Sequence, residues 1–234
     1  MWCRAALGGQ SVMQSRIYWG LLGLAAFVGL SDGGFKSENG LTIAEQPHRV
    51  VFRWSGVVGP DMLKQFEDAF QARQADQRPI LISLHSNGGN VQQGGNVVDL
   101  IRRVQRTKTV DTLIDAKSYC ASMCVPIFMA GTRRSAERKA RFMFHEVSFG
   151  RSPVVDQERR RITKELKLAS SDARLVEKMM ISSATDFFFE RYLEPNGVDP
   201  RWIAKIRKSI DGRDVWLTAE QLVAQRSGVV DEFD

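Results

Sequence analysis

Residues 79–104 constrain this chain more than any other stretch. Pro79-Ile-Leu-Ile-Ser-Leu84 is a short apolar run of strand character, and it empties into His85-Ser86-Asn87-Gly88-Gly89-Asn90. Val91, Val97, Val98, Ile101 and Val104 then recur along one side of a helix. This is a strand, a glycine turn and a helix. The same alternation continues on both sides. Val50, Phe52 and Trp54 alternate with Arg53 and Ser55 as a half-buried strand, and Gly59-Pro60-Asp61 opens a helix carrying Met62, Leu63, Phe66 and Phe70. Downstream come a strand at Thr109–Ile114, a turn at 116–121, an apolar helix from about Ser122 to Met129, and a strand at Arg141-Phe-Met-Phe-His145. Strands alternating with helices imply an α/β fold with parallel pairing through right-handed crossovers. Functional residues in such folds gather where strands end and helices begin, here at Asn87-Gly88-Gly89 and Cys120-Ala121-Ser122-Met123.

The C-terminal third reads as helical. Ile162, Leu166, Ala169, Ala173, Val176 and Met180 recur at spacings of three and four, which predicts one long amphipathic helix. Asp199-Pro200 begins a second helix, and Thr218-Ala-Glu-Gln221 is a capping box that starts a third. Gly228 then precedes Val229-Val230, read as a last short strand.

The 234 residues, 43% hydrophobic and 26% charged, suit one soluble domain and exclude a disordered or disulfide-dense chain. Arg16 precedes Ile17–Leu30, a run of uncharged residues shorter than the roughly 20 needed to span a bilayer and sized for the core of a signal peptide. Residues 1–31 are therefore read as a signal peptide or short membrane anchor and 32–234 as the working domain. That domain is expected in the periplasm, or anchored in a bacterial inner membrane and facing it. The net charge of +6 is spread with both signs interspersed, so no nucleic-acid partner is expected. The basic run Arg133, Arg134, Arg138, Lys139 and Arg141 is read as an exposed turn, with contact to an acidic partner as the alternative.

Once the leader is set aside, Cys120 and Cys124 remain, either bridged in an oxidising compartment or as two buried thiols. Residues four apart near a helix start can approach bridging distance, and a strained disulfide bracing the Ser122 turn is the expectation.

Glycines after a strand leave backbone amides free to face a ligand, although Gly88-Gly89 lacks the spacing of a phosphate loop or a dinucleotide fingerprint. A serine entering a helix either caps it or, with a base at hand, attacks a carbonyl while the next amide and the helix dipole face the oxyanion. Ser122 holds that place, and His145, at the end of the following strand among apolar neighbours, is the candidate base or else a structural histidine. His48, His85 and His145 show no ligand spacing with the cysteines, so neither a metal nor another cofactor is implied.

In combination, Gly-Gly after a strand, Ala-Ser-Met entering a helix, Ala130-Gly131, and Met-Phe-His after a strand resemble the Clp protease proteolytic subunit, a serine peptidase family within the ClpP/crotonase fold group. The resemblance runs from about Val50 to Val230 and includes Leu217-Thr-Ala-Glu-Gln-Leu222 and Gly228-Val-Val-Asp231. It implies repeated β-β-α units with a parallel sheet and a long C-terminal helical region. It also implies Ser122 as nucleophile, His145 as general base, Asp214 as third member, and the Gly89 and Met123 amides as oxyanion hole. The substrate implied is peptide or unfolded protein. A homo-oligomer is implied through the Ile162–Met180 helix, without a stated ring size.

The leader, the two cysteines and a longer stretch between His145 and Asp214 depart from the cytoplasmic family. The leader argues against an ATP-driven unfoldase as partner, and the long stretch leaves Asp211 and Asp199 as alternatives to Asp214. Two rival readings stand beside the peptidase. One is a crotonase-like enzyme acting on coenzyme A thioesters, which would use Glu or Asp rather than Ser and His. The other is a non-catalytic oligomeric scaffold associated with the membrane.

Overall fold

The computed structural model describes residues 40–149, 153–167, 169 and 172–234, so the leader reading for residues 1–31 lies outside the described residues. In chain order the elements are β1 (Gly40–Glu45), β2 (Val50–Ser55), α1 (Pro60–Ala72), β3 (Ile80–His85), α2 (Val91–Val104), β4 (Val110–Ile114), β5 (Tyr119–Ala121) and α3 (Cys124–Met129). Then follow β6 (Arg134–Ala136), β7 (Arg141–Phe144), α4 (Pro153–Glu165), α5 (Ala173–Tyr192), a 3₁₀ turn (Glu194–Asn196), α6 (Pro200–Ser209), β8 (Val215–Thr218), α7 (Ala219–Ala224) and β9 (Glu232–Phe233).

The main sheet has the order β1-β2-β3-β4-β6-β9, parallel throughout except for β1, which runs antiparallel to β2 at the edge. Alternation along β2 explains its two faces. Val50, Phe52 and Trp54 join the main core with Met62, Phe66 and Phe70 of α1, while Val51 lies on the other face in a small cluster with Leu81 and Leu113. The Phe52 ring lies 5.2 Å from that of Phe70 and 6.1 Å from that of Phe66, an aromatic packing that fixes α1 on the sheet.

A second sheet, β5-β7-β8, pairs β5 with β7 in parallel and β7 with β8 antiparallel. A bridge between Ser86 and Cys120 joins its first strand to the end of β3. The two sheets therefore meet where the Gly88-Gly89 turn leaves β3, and that junction positions the site.

Several expectations need correction. The single long helix is two, because Lys167 takes a left-handed conformation (φ 50°) just after α4 and the chain turns before α5 begins. Side-chain periodicity carries no record of a single left-handed residue. The basic run is an exposed turn only at Arg138 and Lys139, since β6 takes Arg134–Ala136 with Ser135 and Ala136 buried. Three of its charges have acidic partners, Arg133 with Asp111, Arg134 with Asp231 and Arg138 with Glu220. Val229 and Val230 are buried outside any strand, and Glu232–Phe233 forms the last strand instead, beside β6. The helix expected from Ser122 begins at Cys124, and the turn expected at 116–121 contains β5.

Candidate active site

The Gly88-Gly89 turn is held from two sides. Val58 N–H donates to Gly88 O (2.8 Å), and Asn90 N–H donates to Val58 O (2.9 Å), which pins the turn to the segment before α1. Ala121 N–H donates to Ser86 O (2.9 Å), and Gly88 N–H donates to the buried Ser86 hydroxyl (3.1 Å). Gly88 (φ 83°) and Gly89 (φ 152°) both lie at torsions that L side chains rarely adopt. Space is short as well. A Cβ on Gly88 would lie 2.5 Å from Ala121 O, 2.8 Å from Ser122 Cβ and 2.9 Å from Met123 N, so the glycine backbone rests directly on the Ser122 turn. Among the described residues the N–H groups of Gly89 and Met123 donate to no protein acceptor.

Ser122 is not the helix cap that its sequence position suggests. It has φ 53°, left-handed and costly for a non-glycine residue, and it stands two residues ahead of α3. Its N–H donates to Met143 O (3.0 Å), extending the β5–β7 ladder by one step, and its carbonyl accepts from Val125 N–H (2.9 Å). Cys120 and Cys124 are joined by a disulfide with a Cα–Cα distance of 5.2 Å, and both are fully buried. Gly94 of α2 makes room for the Met123 side chain, because a Cβ there would lie 2.3 Å from Met123 Cγ.

His145 follows the last residue of β7 and, together with Ser122 and Gly89, lines a cavity of about 50 Å³. Met143, Val147 and Phe188 contribute to the rest of its wall. Asp214 stands immediately before β8. The β7–β8 register pairs Met143 with Trp216 and ends with Phe144 opposite Val215, and His145 and Asp214 are the residues that follow and precede that last pair. Among the described residues no hydrogen bond joins the side chains of Ser122, His145 and Asp214. The two alternative aspartates are engaged elsewhere. Asp211 pairs with Lys178 (3.4 Å), and Asp199 caps α6 by accepting from the amides of Arg201 (2.8 Å) and Trp202 (3.0 Å). The Trp202 amide above all holds the Asp199 carboxyl below its ordinary range.

Two contributors have no signature in the sequence. Thr185, fully buried on α5, accepts from Val147 N–H (2.9 Å) and so tethers the segment just after His145. Glu146 accepts from Gly212 N–H (3.0 Å) and ties that same segment to the loop bearing Asp214. Neither falls in a repeated pattern, and only the adjacency of Glu146 to His145 offered a signal. Beyond the cavity a larger apolar pocket of about 400 Å³ opens between the start of α2 and α5, with Val91, Val147, Phe149, Phe187 and Phe188 in its lining. Val91, Val147 and Phe188 also line the smaller cavity, so the two spaces share a wall.

The Clp protease family model matches residues 68–185, just over half of the chain, a span that takes in Gly88, Gly89, Ser122, Met123 and His145. The chain belongs to the Clp protease family. Members of the Clp protease family are serine peptidases that form homo-oligomers and act on peptide substrates. Among solved structures the fold is similar to that of a ClpP1 mutant from Listeria monocytogenes, with a TM-score of 0.51 and 20% identity over 80% of this chain and 91% of that one. At that identity the likeness concerns the fold. No curated protein matches the chain. Asp214 lies beyond the residues matched by the Clp protease family model, so its place in the site rests on the β7–β8 register alone.

Proposed function

We propose that the protein is a serine endopeptidase that works through an acyl-enzyme, without ATP. Ser122 Oγ attacks the scissile carbonyl, and His145 accepts its proton and returns it to the leaving amine. Asp214 orients the imidazole and stabilises its cation, while the Gly89 and Met123 amides receive the oxyanion. The observation that carries this reading is the shared cavity. Ser122 and His145 line it, and beside them the amides of Gly89 and Met123 have no internal acceptor among the described residues. Such donors cost no reorganisation when charge develops, which is where acyl transfer gains most.

The neighbouring apolar pocket supports a preference for large apolar side chains beside the scissile bond. Leu175, Met179 and Phe187 stand exposed along α5, apolar surface suited to contact between copies of the chain, and a homo-oligomer through this helix is part of the proposal. So is the periplasmic side of a bacterial inner membrane as the place of action, on the strength of Arg16 and the apolar run after it. Among the described residues no helix is long and apolar enough to cross a membrane.

A fluorophosphonate probe with mass-spectrometric mapping tests the chemistry. Labelling of Ser122 that is lost in His145→Ala is the expected result. Absence of labelling on a folded chain overturns the peptidase reading.

A further inference from the structure

The Cys120–Cys124 bond closes a five-residue ring, and the ring holds both Ser122 and Met123. The proposed nucleophile and one of the two proposed oxyanion amides therefore lie inside a covalent loop. Cys120 belongs to β5 and Cys124 opens α3, so the bond ties strand to helix across the one residue of the turn that has a left-handed backbone. Hydrogen bonding across the same span is sparse. Among the described residues a single backbone bond closes the turn itself, from Val125 N–H to Ser122 O (2.9 Å), while Ser122 N–H is held by the neighbouring strand. A ring this short restricts little of the chain outside the turn, so its influence concentrates on the geometry of the site.

We infer that the Cys120–Cys124 disulfide positions the nucleophile and makes turnover depend on its redox state, so that the oxidised chain is active and the reduced chain is folded but nearly inactive. This rests on the peptidase reading above and deepens it, with Cys120 and Cys124 as positioning residues that touch no substrate. Reduction by a dithiol runs through a mixed disulfide. One reagent thiolate attacks a cystine sulfur and breaks the S–S bond, and the second thiolate closes the reagent into its own disulfide. Two electrons pass from reagent to protein, and two protons end on the cysteine thiols. Both cysteines are fully buried, so this exchange has to wait for an opening of the Ser122 turn and is slow. Freed of the ring, Ser122 relaxes from its disfavoured torsion toward ordinary ones, and the hydroxyl and the Met123 amide lose their common aim. A displacement near 1 Å is enough to cost about 100-fold in rate. Substrate binding, which draws on the apolar pocket outside the ring, changes little. A peptidase of this design stays idle in a reducing compartment and starts work where disulfides persist.

The test uses the full chain, hydrolysis of a p-nitrophenyl ester and fluorophosphonate labelling at Ser122. Samples are fully oxidised, treated with dithiothreitol, or reduced and then reoxidised, with free thiols counted by alkylation. A Cys120→Ala/Cys124→Ala variant supplies a second arm should the reagent leave the bond intact, and reduction of the native chain decides the matter should that variant not fold. We expect kcat and the labelling rate to fall roughly 10-fold to 100-fold on losing the bond, KM to stay within about 2-fold, and reoxidation to restore both. A purely structural bond would lower Tm and leave kcat of the folded, reduced chain unchanged, and that result overturns the inference. No labelling even in the oxidised chain would instead overturn the peptidase reading itself.

Discussion

Gly88→Ala places a methyl group where the glycine turn rests on the proposed nucleophile. The new Cβ would lie 2.5 Å from Ala121 O and 2.9 Å from Met123 N, and both are backbone atoms that cannot rotate aside. The backbone at φ 83° adds a cost of about 1–2 kcal/mol for a side chain in the left-handed region. Relieving the overlap adds about 1–3 kcal/mol in the manner of other overpacked sites. For a domain of this size the total corresponds to a Tm lower by roughly 5–20 °C. The overlap is relieved by moving the Ser122-Met123 turn away from the Gly89 amide, which would spoil the proposed oxyanion hole and lower kcat by about 100-fold to 1,000-fold. Gly228→Ala is the control. Its φ is 77° and its Cβ would lie 2.3 Å from Gly197 O, so it carries a similar cost in stability at a position outside the cavity lining. Thermal unfolding by circular dichroism and ester hydrolysis at a temperature where both variants are folded give the comparison. Gly228→Ala is expected to keep kcat within about 2-fold. If Gly88→Ala kept it as well, the proposed oxyanion hole would be misplaced.

Asp214→Asn should lower kcat by about 1,000-fold to 10,000-fold with little change in Tm, because it removes the group proposed to orient His145. Asp199→Asn is expected to leave kcat unchanged, since Asp199 is occupied in capping α6; a loss of activity there would show that the third member has been misidentified. Burial, together with the charge of Arg141, lowers the His85 pKa below 6.5, so the unfolded chain takes up its proton first as the pH falls. Stability from this residue is full above about pH 6.5 and declines below it, and His85→Phe should show a smaller drop in Tm than the native chain between about pH 7.5 and about pH 5.5. Fractionation of cells carrying the full-length chain should find the domain on the periplasmic side of the membrane. Protein with an intact N-terminus in the cytosol would refute that location.

Much was legible in the sequence because it is written in local terms. Strand β2, helices α1, α2 and α6 and the Thr218 capping box follow from apolar spacing, proline placement and capping chemistry, all short-range effects. The order of Gly88-Gly89, Ala121-Ser122-Met123 and His145 along the chain was enough to suggest the family and which side chains to watch. Other features depended on segments far apart in the chain. Strands β5, β6 and β8 are only three or four residues long and exist because neighbouring strands satisfy their backbone groups, so no local pattern announces them. The left-handed Ser122 follows from being pinned between Met143, Gly88 and the disulfide, against the preference of a serine read alone. The choice among Asp199, Asp211 and Asp214 shows the division most clearly. The three are alike as residues in sequence, and only the pairing of β7 with β8, the cap of α6 and the reach of Lys178 give each a different neighbour. Spacing along the chain determined which chemistry could be assembled, and the meeting of two sheets at the end of β3 decided which atoms face one another, because hydrogen-bond register and close packing are properties of segments in contact.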